Sequence, residues 1–322
     1  MKQISIIIPI YKAHDTITNT LHSVFMQRYM EYTCYLIVDG EEVGSYDYLK
    51  EHFPVEIHYM KVNAGPGVAR QYGIDHSKEP FISFIDADDT YLSSLALHYQ
   101  HLPFEKEEYA MVSTDFLQEN KDISIRLRER DMVWMHGKMY RRAFLDKYDI
   151  RFNETRANED VGFQTQCQCY ANEQEQIFLS KDQTYMWQWR DDSTVRTDNL
   201  SYAYNESIEG LVQNKIYAFK RVLARQPLDA GSRFFILSGL AYLFKKYLLA
   251  MIKMPKQLRH VKKWSKVYYK TLYPLLEQEY IDKAEKSIVA QMGFDKVEEY
   301  EEFIKWKALL NAPPKKRKRK KK

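Results

Sequence analysis

Phe81-Ile-Ser-Phe-Ile-Asp86-Ala87-Asp88-Asp89 is an apolar run that stops abruptly in three carboxylates within four positions. The residues before the acids are mostly β-branched or aromatic, which is the composition and length of a short buried strand. Alternate side chains on a strand share a face, so Asp86 and Asp88 point the same way if extended backbone persists past Ile85. Two carboxylates that close repel each other and resist desolvation, and a hard divalent cation holding a phosphate relieves both problems. A solvated turn, with Asp89 capping a helix, accounts for the same residues equally well.

The surrounding pattern narrows the choice. Ile4 to Ile10 reads as a first strand with Pro9 near its end, where a backbone donor is dispensable. Asp15 is placed to cap a helix whose apolar positions Ile17, Leu21, Val24 and Phe25 follow the helical period. Tyr35 to Val38 is a second strand ending at Asp39-Gly40, and Ile57 to Val62 a third, with a short helix around Tyr46 to His52 between them. The glycine-rich segment Asn63 to Gly67 then leads into a helix through Ser77. Strands alternating with helices predict an α/β, mostly parallel sheet covered on both faces, with ligands at the carboxyl ends of the strands. Tyr11, Asp39, the Asn63 turn and Asp86 to Asp89 all fall at such ends. Together they offer an aromatic surface for a base, an acid for base or ribose groups, and carboxylates for a cation that holds phosphates.

These residues also carry a family resemblance. Ser5-Ile-Ile-Ile-Pro-Ile-Tyr-Lys-Ala13, Leu21-His-Ser-Val-Phe-Met-Gln27, Asn63-Ala-Gly-Pro-Gly-Val-Ala-Arg-Gln-Tyr-Gly-Ile74 and Phe84-Ile-Asp-Ala-Asp-Asp89 resemble the nucleotide-binding half of family-2 glycosyltransferases. Gly137-Lys-Met-Tyr-Arg-Arg-Ala-Phe-Leu145, Ile150-Arg-Phe-Asn153 and Asn158-Glu-Asp-Val-Gly-Phe163 resemble the acceptor half. The resemblance covers residues 1–198 and implies the Rossmann-like GT-A fold, divided into a donor half over 1–100 and an acceptor half over 101–198. It also implies a nucleotide-sugar donor, usually a UDP-sugar, and a Mn2+ or Mg2+ ion. By the same resemblance Pro9 and Tyr11 line the base pocket, Asp39 contacts the base, and Arg70 lies near the ribose and diphosphate. Asp86, Ala87 and Asp88 fill the carboxylate-x-carboxylate motif, with Asp86 and Asp88 on the metal, and Asp160 stands where the family keeps its catalytic base. The chain departs from the usual two acids followed by glycine-serine, reading Val38-Asp39-Gly40-Glu41-Glu42 instead.

The chemistry implied is a single displacement with inversion at the anomeric carbon of a hexose. It needs leaving-group stabilisation beside Asp88 and proton acceptance by Asp160 on the opposite face. Asn158-Glu159-Asp160 also matches an ordinary helix start, with Asn158 as cap. Glu159, Trp134, His136, Trp187, Arg190 and Arg196 are candidates for acceptor or loop contacts. His136 is a catalytic or metal-contacting group or a satisfied structural histidine. Trp187 and Trp189 share a strand face for packing or sugar stacking, and Arg190, Ser193 and Arg196 lie in a loop able to close over the diphosphate. A glycosyltransferase building a polysaccharide, glycolipid or other glycoconjugate is the leading reading. One that modifies a polyanion such as DNA, and a non-catalytic nucleotide-sugar-binding or assembly module, are the alternatives; the acid cluster and Asp160 argue against the last.

Charge divides the chain. Of 48 Lys and Arg, ten lie between Ala230 and Leu276, where there is no Asp or Glu, and eight form Lys315 to Lys322; the remainder sets 30 bases against 44 acids. An acidic body therefore carries a basic end. Residues 199–312 read as a basic helical module that braces the catalytic domain, docks on anionic lipid, or meets a polyanionic partner such as nucleic acid. Residues 313–322 form a polybasic tail that cannot pack. Cys34, Cys167 and Cys169 suit neither a disulfide framework nor a zinc site, and with an amino terminus unlike a signal peptide they predict a reducing cytoplasm. No uninterrupted apolar stretch reaches the length of a membrane span. A peripheral position on the inner face of a membrane is compatible with the basic end.

Overall fold

The computed structural model describes residues 3–171, 176–191, 205–291 and 297–313. Isoleucine in every other place and more makes β1 (Ile4–Ile10) a fully covered central strand, buried except at Pro9. It pairs in parallel with β2 (Tyr32–Asp39) on one side and β4 (Phe81–Phe84) on the other, and β3 (Val55–Met60) extends the sheet beyond β2. Pro9 lies beyond Ile7, the last β1 residue in register with β4, so its missing N–H costs no ladder bond there. Helices α1 (Ile17–Phe25) and α2 (Pro66–His76) supply the crossovers that parallel strands require, and α2 packs on β1 and β2.

The other half of the sheet is mixed. The short β5 (Thr90–Tyr91), β6 (Met111–Glu119), β7 (Ile125–Arg128), β8 (Lys138–Arg141) and β9 (Ile177–Trp187) complete nine strands in the order β3-β2-β1-β4-β8-β6-β9-β5, with β7 hairpinned to β6. Strand β8 runs antiparallel between β4 and β6, whereas β9 is parallel to β6. Helices α3 (Ala96–His101), α4 (Arg142–Tyr148) and α5 (Glu159–Tyr170) lie among these strands in sequence. This is the GT-A architecture, followed by a helical region. Cys34, Cys167 and Cys169 are buried free thiols.

Three sequence expectations need correction. Helix α1 begins at Ile17 behind Thr16, so Asp15 does not cap it. Extended backbone stops at Phe84, and the Asp89 N–H closes a turn on the Asp86 carbonyl at 3.1 Å, so Asp86 and Asp88 are not placed by strand alternation. Nor does Asp89 cap a helix, since β5 follows it directly.

The chain divides into a unit of Met1–Asp198 with Gln213–Gln226 and a unit of Asn199–Val212 with Pro227–Lys322. The boundary falls inside α6 (Glu206–Leu223). Its later turns and the residues just after it join the first unit through side chains: Asn214 Nδ2 donates to Thr155 and the Ala157 carbonyl, and Gln226 donates to the Cys169 carbonyl at 2.7 Å. The second unit contains α7 (Ala230–Lys253), α8 (Leu258–Thr271), α9 (Gln278–Gln291) and α10 (Val297–Asn311). Among the described helices α7 alone is long and apolar enough to cross a membrane, and half of its apolar window is buried inside the protein. Residues 314–322 of the polybasic tail lie outside the described residues.

Candidate active site

Because β1, β2, β3 and β4 are parallel, their carboxyl ends share one edge of the sheet, where Tyr11, Asp39, the Asn63 turn and the acid turn follow. Tyr11 is half exposed, with the Lys12 ammonium 5.1 Å from its ring centroid. Asp39 is buried and accepts from the backbone N–H groups of Ala64 and Gly65, each at 2.8 Å. Its carboxylate thus pins the glycine-rich turn. Gly40, at φ +75°, makes that approach possible, since a Cβ there would lie 2.0 Å from the Asn63 nitrogen. Glu41 accepts from the Lys12 N–H and the Tyr46 hydroxyl beside His14, whose ring stacks on Tyr46.

Antiparallel pairing brings the other half of the site to the acids. Ser83 of β4 is in register with Met139 of β8, so the residues entering β8, including His136, reach the carboxyl end of β4. Gly137 makes this entry in the left-handed region, where a Cβ would meet the Thr114 hydroxyl at 2.6 Å. Strand β5 is antiparallel to β9, with Thr90 opposite Met186 and Tyr91 opposite Tyr185. That register lets the Tyr185 hydroxyl donate to Asp89 at 2.7 Å and the Gln188 N–H at 2.8 Å. Tyr185 and Gln188 are contributors that the motifs did not single out, and Asp89, read from the sequence as a capping acid, joins them in the site. The alternation Tyr185-Met-Trp187 was the available signal, but only the β5 pairing says what it faces.

The resulting electrostatics are unbalanced. Arg70, buried on α2, donates to Asp86 at 2.6 Å and to Glu159 at 2.8 Å. Burial opposes the charge on Asp86, yet Arg70 and His136 hold its carboxyl well below the usual carboxylate range. Asp89 goes the other way: burial, then Asp88 and Asp86, push it well up despite two donated hydrogen bonds. Burial keeps His136 neutral, outweighing the pull of Asp86, whose Oδ2 is 3.7 Å from Nε2. Among the described residues the buried His136 Nδ1 has no hydrogen-bond partner. Asp88 is the most open of the three acids, with Arg190 Nη1 3.6 Å away. Ala87, between the acids, is buried, and Arg196 and Ser193 lie outside the described residues.

Among the described residues, Asp86, Asp89 and His136 form a group whose ligand atoms lie within 4.8 Å of one another. Carboxylate oxygens with one neutral imidazole, in a turn short of positive charge, fit a divalent cation; the imidazole favours Mn2+ over Mg2+. This set overlaps the expected Asp86 and Asp88 pair at Asp86 and adds Asp89 and His136.

Helix α5 presents the remaining acid. Glu159 is fixed by Arg70 and packs so closely on α2 that a Cβ on Gly67 would lie 2.7 Å from its Cγ. Asp160 follows it, buried, with Oδ1 accepting the Val161 N–H. Burial first, then the Glu159 charge, raise its carboxyl to about 8. Asn158 occupies the N-cap at φ 55° without a side-chain cap bond. Trp134 packs on Trp187 at 5.1 Å between centroids, and His136 lies between Tyr185 and Trp187 at 4.8 Å from each. The half-buried indoles thus pack on one another beside the acids. Lys138 is fully buried, its ammonium 3.8 Å from Asp131, and burial lowers it to about 8.

Residues 5–157 match the family described as glycosyl transferase family 2. Over those residues the chain belongs to that family. The chain is 27% identical over 244 residues to a poly(ribitol-phosphate) beta-glucosyltransferase of Bacillus spizizenii, covering 68% of this chain and 37% of that protein. It spans between 26% and 38% of the length of the curated relatives it matches. Its fold superposes on residues 1–349 of S. aureus TarS in complex with UDP-GlcNAc with a TM-score of 0.71 at 14% identity, covering 95% of this chain and 90% of that one. A mannosyltransferase from Pyrobaculum calidifontis in complex with GDP-Man and Mn2+ superposes with a TM-score of 0.54 at 14% identity, over 96% of this chain and 84% of that one.

Proposed function

We propose that this glycosyltransferase moves a sugar from a nucleotide diphosphate sugar, a UDP-sugar by preference, to a hydroxyl of a glycan or polyol-phosphate polymer, with inversion. The observation that carries the reading is the joining of the acid turn to the start of α5 through one buried arginine, Arg70. Asp86, Asp88, Asp89 and His136 are the residues that would hold a divalent cation, which supplies Lewis-acid stabilisation of the departing diphosphate. Arg190 beside Asp88 adds a mobile positive charge for the same phosphates. Tyr11, exposed at the end of β1, offers a ring to the base, and Pro9 and Asp39 shape the floor beneath it.

Asp160 acts as the general base. A carboxyl with an affinity near neutrality is a stronger proton acceptor than an exposed one, and its burial makes that so. Transfer to a hydroxyl by a base opposite the leaving group is a single displacement, hence inversion. Trp134 and Trp187 provide apolar ring faces at the acceptor side. The polymer class is supported by the poly(ribitol-phosphate) in the name of the Bacillus relative, and the choice of a UDP-sugar by the UDP-GlcNAc held in the TarS structure of like fold.

A thermal-shift screen of UDP-, GDP- and other nucleotide sugars with Mn2+ tests the donor, followed by transfer to poly(ribitol phosphate) and neutral glycans. A stabilising UDP-sugar that is transferred with a change of anomeric configuration is the expected result. Stabilisation without transfer to any acceptor would indicate a nucleotide-sugar-binding module instead.

A further inference from the structure

Helix α7 owes its apolar composition to two different surroundings. Along most of its length the apolar side chains face the interior of the helical unit, with Ile236, Leu237, Leu240, Leu243 and Phe244 buried. Tyr268 of α8 donates to the Ile236 carbonyl at 2.9 Å, and Phe244 packs on Phe303 and Trp306 of α10. Gly239 serves the same contact, since a Cβ there would lie 2.2 Å from the Tyr268 hydroxyl. These residues account for the hydropathy of the helix as that of a bundle core.

The last turn is different. Met251 is 47% and Ile252 78% exposed, and Lys253 beside them is exposed. The chain then turns through a 3-10 segment, Pro255–Gln257, and returns as α8, which packs back on α7. Residues 251–259 are therefore the tip of a helical hairpin. Lys256 and Arg259 are exposed on it, and Lys262 and Lys263 are exposed about one turn along α8. The Lys262 ammonium stands 5.7 Å from the Tyr247 ring centroid on α7, which keeps that base at the hairpin rather than away from it. No Asp or Glu occurs anywhere from Ala230 to Leu276 to offset these charges.

Among the described residues, acids from other helices reach only the flanks of this tip, Glu209 at 3.9 Å from His260 and Glu302 near Tyr247. An exposed aliphatic pair beside this cluster of exposed bases matches the two components of a lipid surface. Anionic headgroups attract the bases, and the acyl boundary beneath them takes the apolar side chains; reversible anchoring needs both signals. A soluble polyanion or a nucleic acid backbone engages the bases but leaves Met251 and Ile252 in water. We propose that the α7–α8 tip is a docking surface for an anionic lipid bilayer, with Ile252 and Met251 entering the acyl boundary and Lys253, Lys256, Arg259 and Lys263 at the headgroups. Helix α7 stays in the bundle, and the protein lies on the membrane rather than through it. This proposal does not depend on the donor or acceptor chemistry above.

Co-sedimentation of the full chain with vesicles of phosphatidylglycerol and phosphatidylcholine, against phosphatidylcholine alone, tests it. Ile252→Ser removes only an exposed apolar group, so the thermal midpoint should hold while the vesicle partition coefficient falls by about tenfold. Replacing Lys253, Lys256, Arg259 and Lys263 together by alanine should lower it by about a hundredfold or more. The Ile252→Ser ratio should persist in a chain ending at Pro313, which removes the contribution of the terminal lysines and arginines. Binding of Ile252→Ser equal to that of the parent chain would overturn the proposal. So would equal affinity for both vesicle types, or complete displacement from vesicles by soluble polyphosphate or duplex DNA at matched charge; that last result would assign the tip to a polyanion.

Discussion

If Asp160 is the base, its raised carboxyl affinity must appear in the rate. With a value of about 8, only about a tenth of the free enzyme is ionised at pH 7 and about a hundredth at pH 6. The acidic limb of kcat/KM should therefore rise about tenfold per pH unit and level off near pH 8. Glu159, whose charge is the second cause of the shift, provides an internal control. Glu159→Gln removes a like charge and releases Arg70 from its second partner, and both changes favour the ionised form, so the limb moves to lower pH. Asp160→Asn should lower kcat by roughly 10² to 10⁴-fold while leaving the donor-induced thermal shift nearly intact. Stability gives a second readout with the opposite sign. The native state keeps a proton that the unfolded chain releases near pH 4, so Asp160 stabilises the fold least above pH 8, and stability is lost as pH rises between those values. Asp160→Asn should then raise the unfolding midpoint at pH 9 and change it little at pH 4, by a few kcal/mol at most. Radiochemical transfer across pH, with chemical unfolding at the same pH values, measures both. A limb that does not move in Glu159→Gln, together with residual transfer in Asp160→Asn near the parent rate, would refute the assignment.

Three further outcomes follow from the geometry. Asp88→Asn, at the most open acid of the turn, should reduce the thermal stabilisation that Mn2+ adds in the presence of UDP, and chelator should abolish that stabilisation in the parent chain. Arg70→Met strands Asp86 and Glu159 in the interior without a counter-charge, and urea unfolding should show a loss of about 3 to 5 kcal/mol. Gly239→Ala forces a methyl against the Tyr268 hydroxyl and should cost about 1 to 3 kcal/mol in the same assay, with kcat unchanged.

The parallel edge of the sheet was legible because its signals are local. Isoleucine-rich β1, the acid ending of β4 and the glycine-rich entry to α2 each announce themselves within a dozen residues, and parallel pairing alone then lines up their ends. The mixed half of the sheet was less so. Strand β8 is four residues long and carries no periodicity, so nothing before folding says that His136 enters beside Asp86; that depends on the register of Ser83 with Met139. The division of α6 was hidden for a similar reason, since Asn214 and Gln226 reveal their partners only when Ala157 and Cys169 are brought near.

The acid turn shows how an expectation about residues can rest on the wrong geometry. Strand alternation would have put Asp86 and Asp88 on one face with Asp89 turned away, whereas the turn closed by the Asp89 N–H gives each carboxylate a different neighbour: Arg70 for Asp86, Arg190 for Asp88, and the Tyr185 hydroxyl with the Gln188 N–H for Asp89. Arg70 is shared with Glu159, and hydrogen-bond donors lower the carboxyl affinity of Asp89 without supplying a positive charge. Burial first, and then repulsion among the three that the protein's own side chains only partly relieve, hold Asp89 high, while Arg70 and His136 hold Asp86 low. A site meant only to end a strand would have had no reason to bury that imbalance. One that receives a cation would gain from it, because a bound divalent ion would offset the repulsion of three close carboxylates.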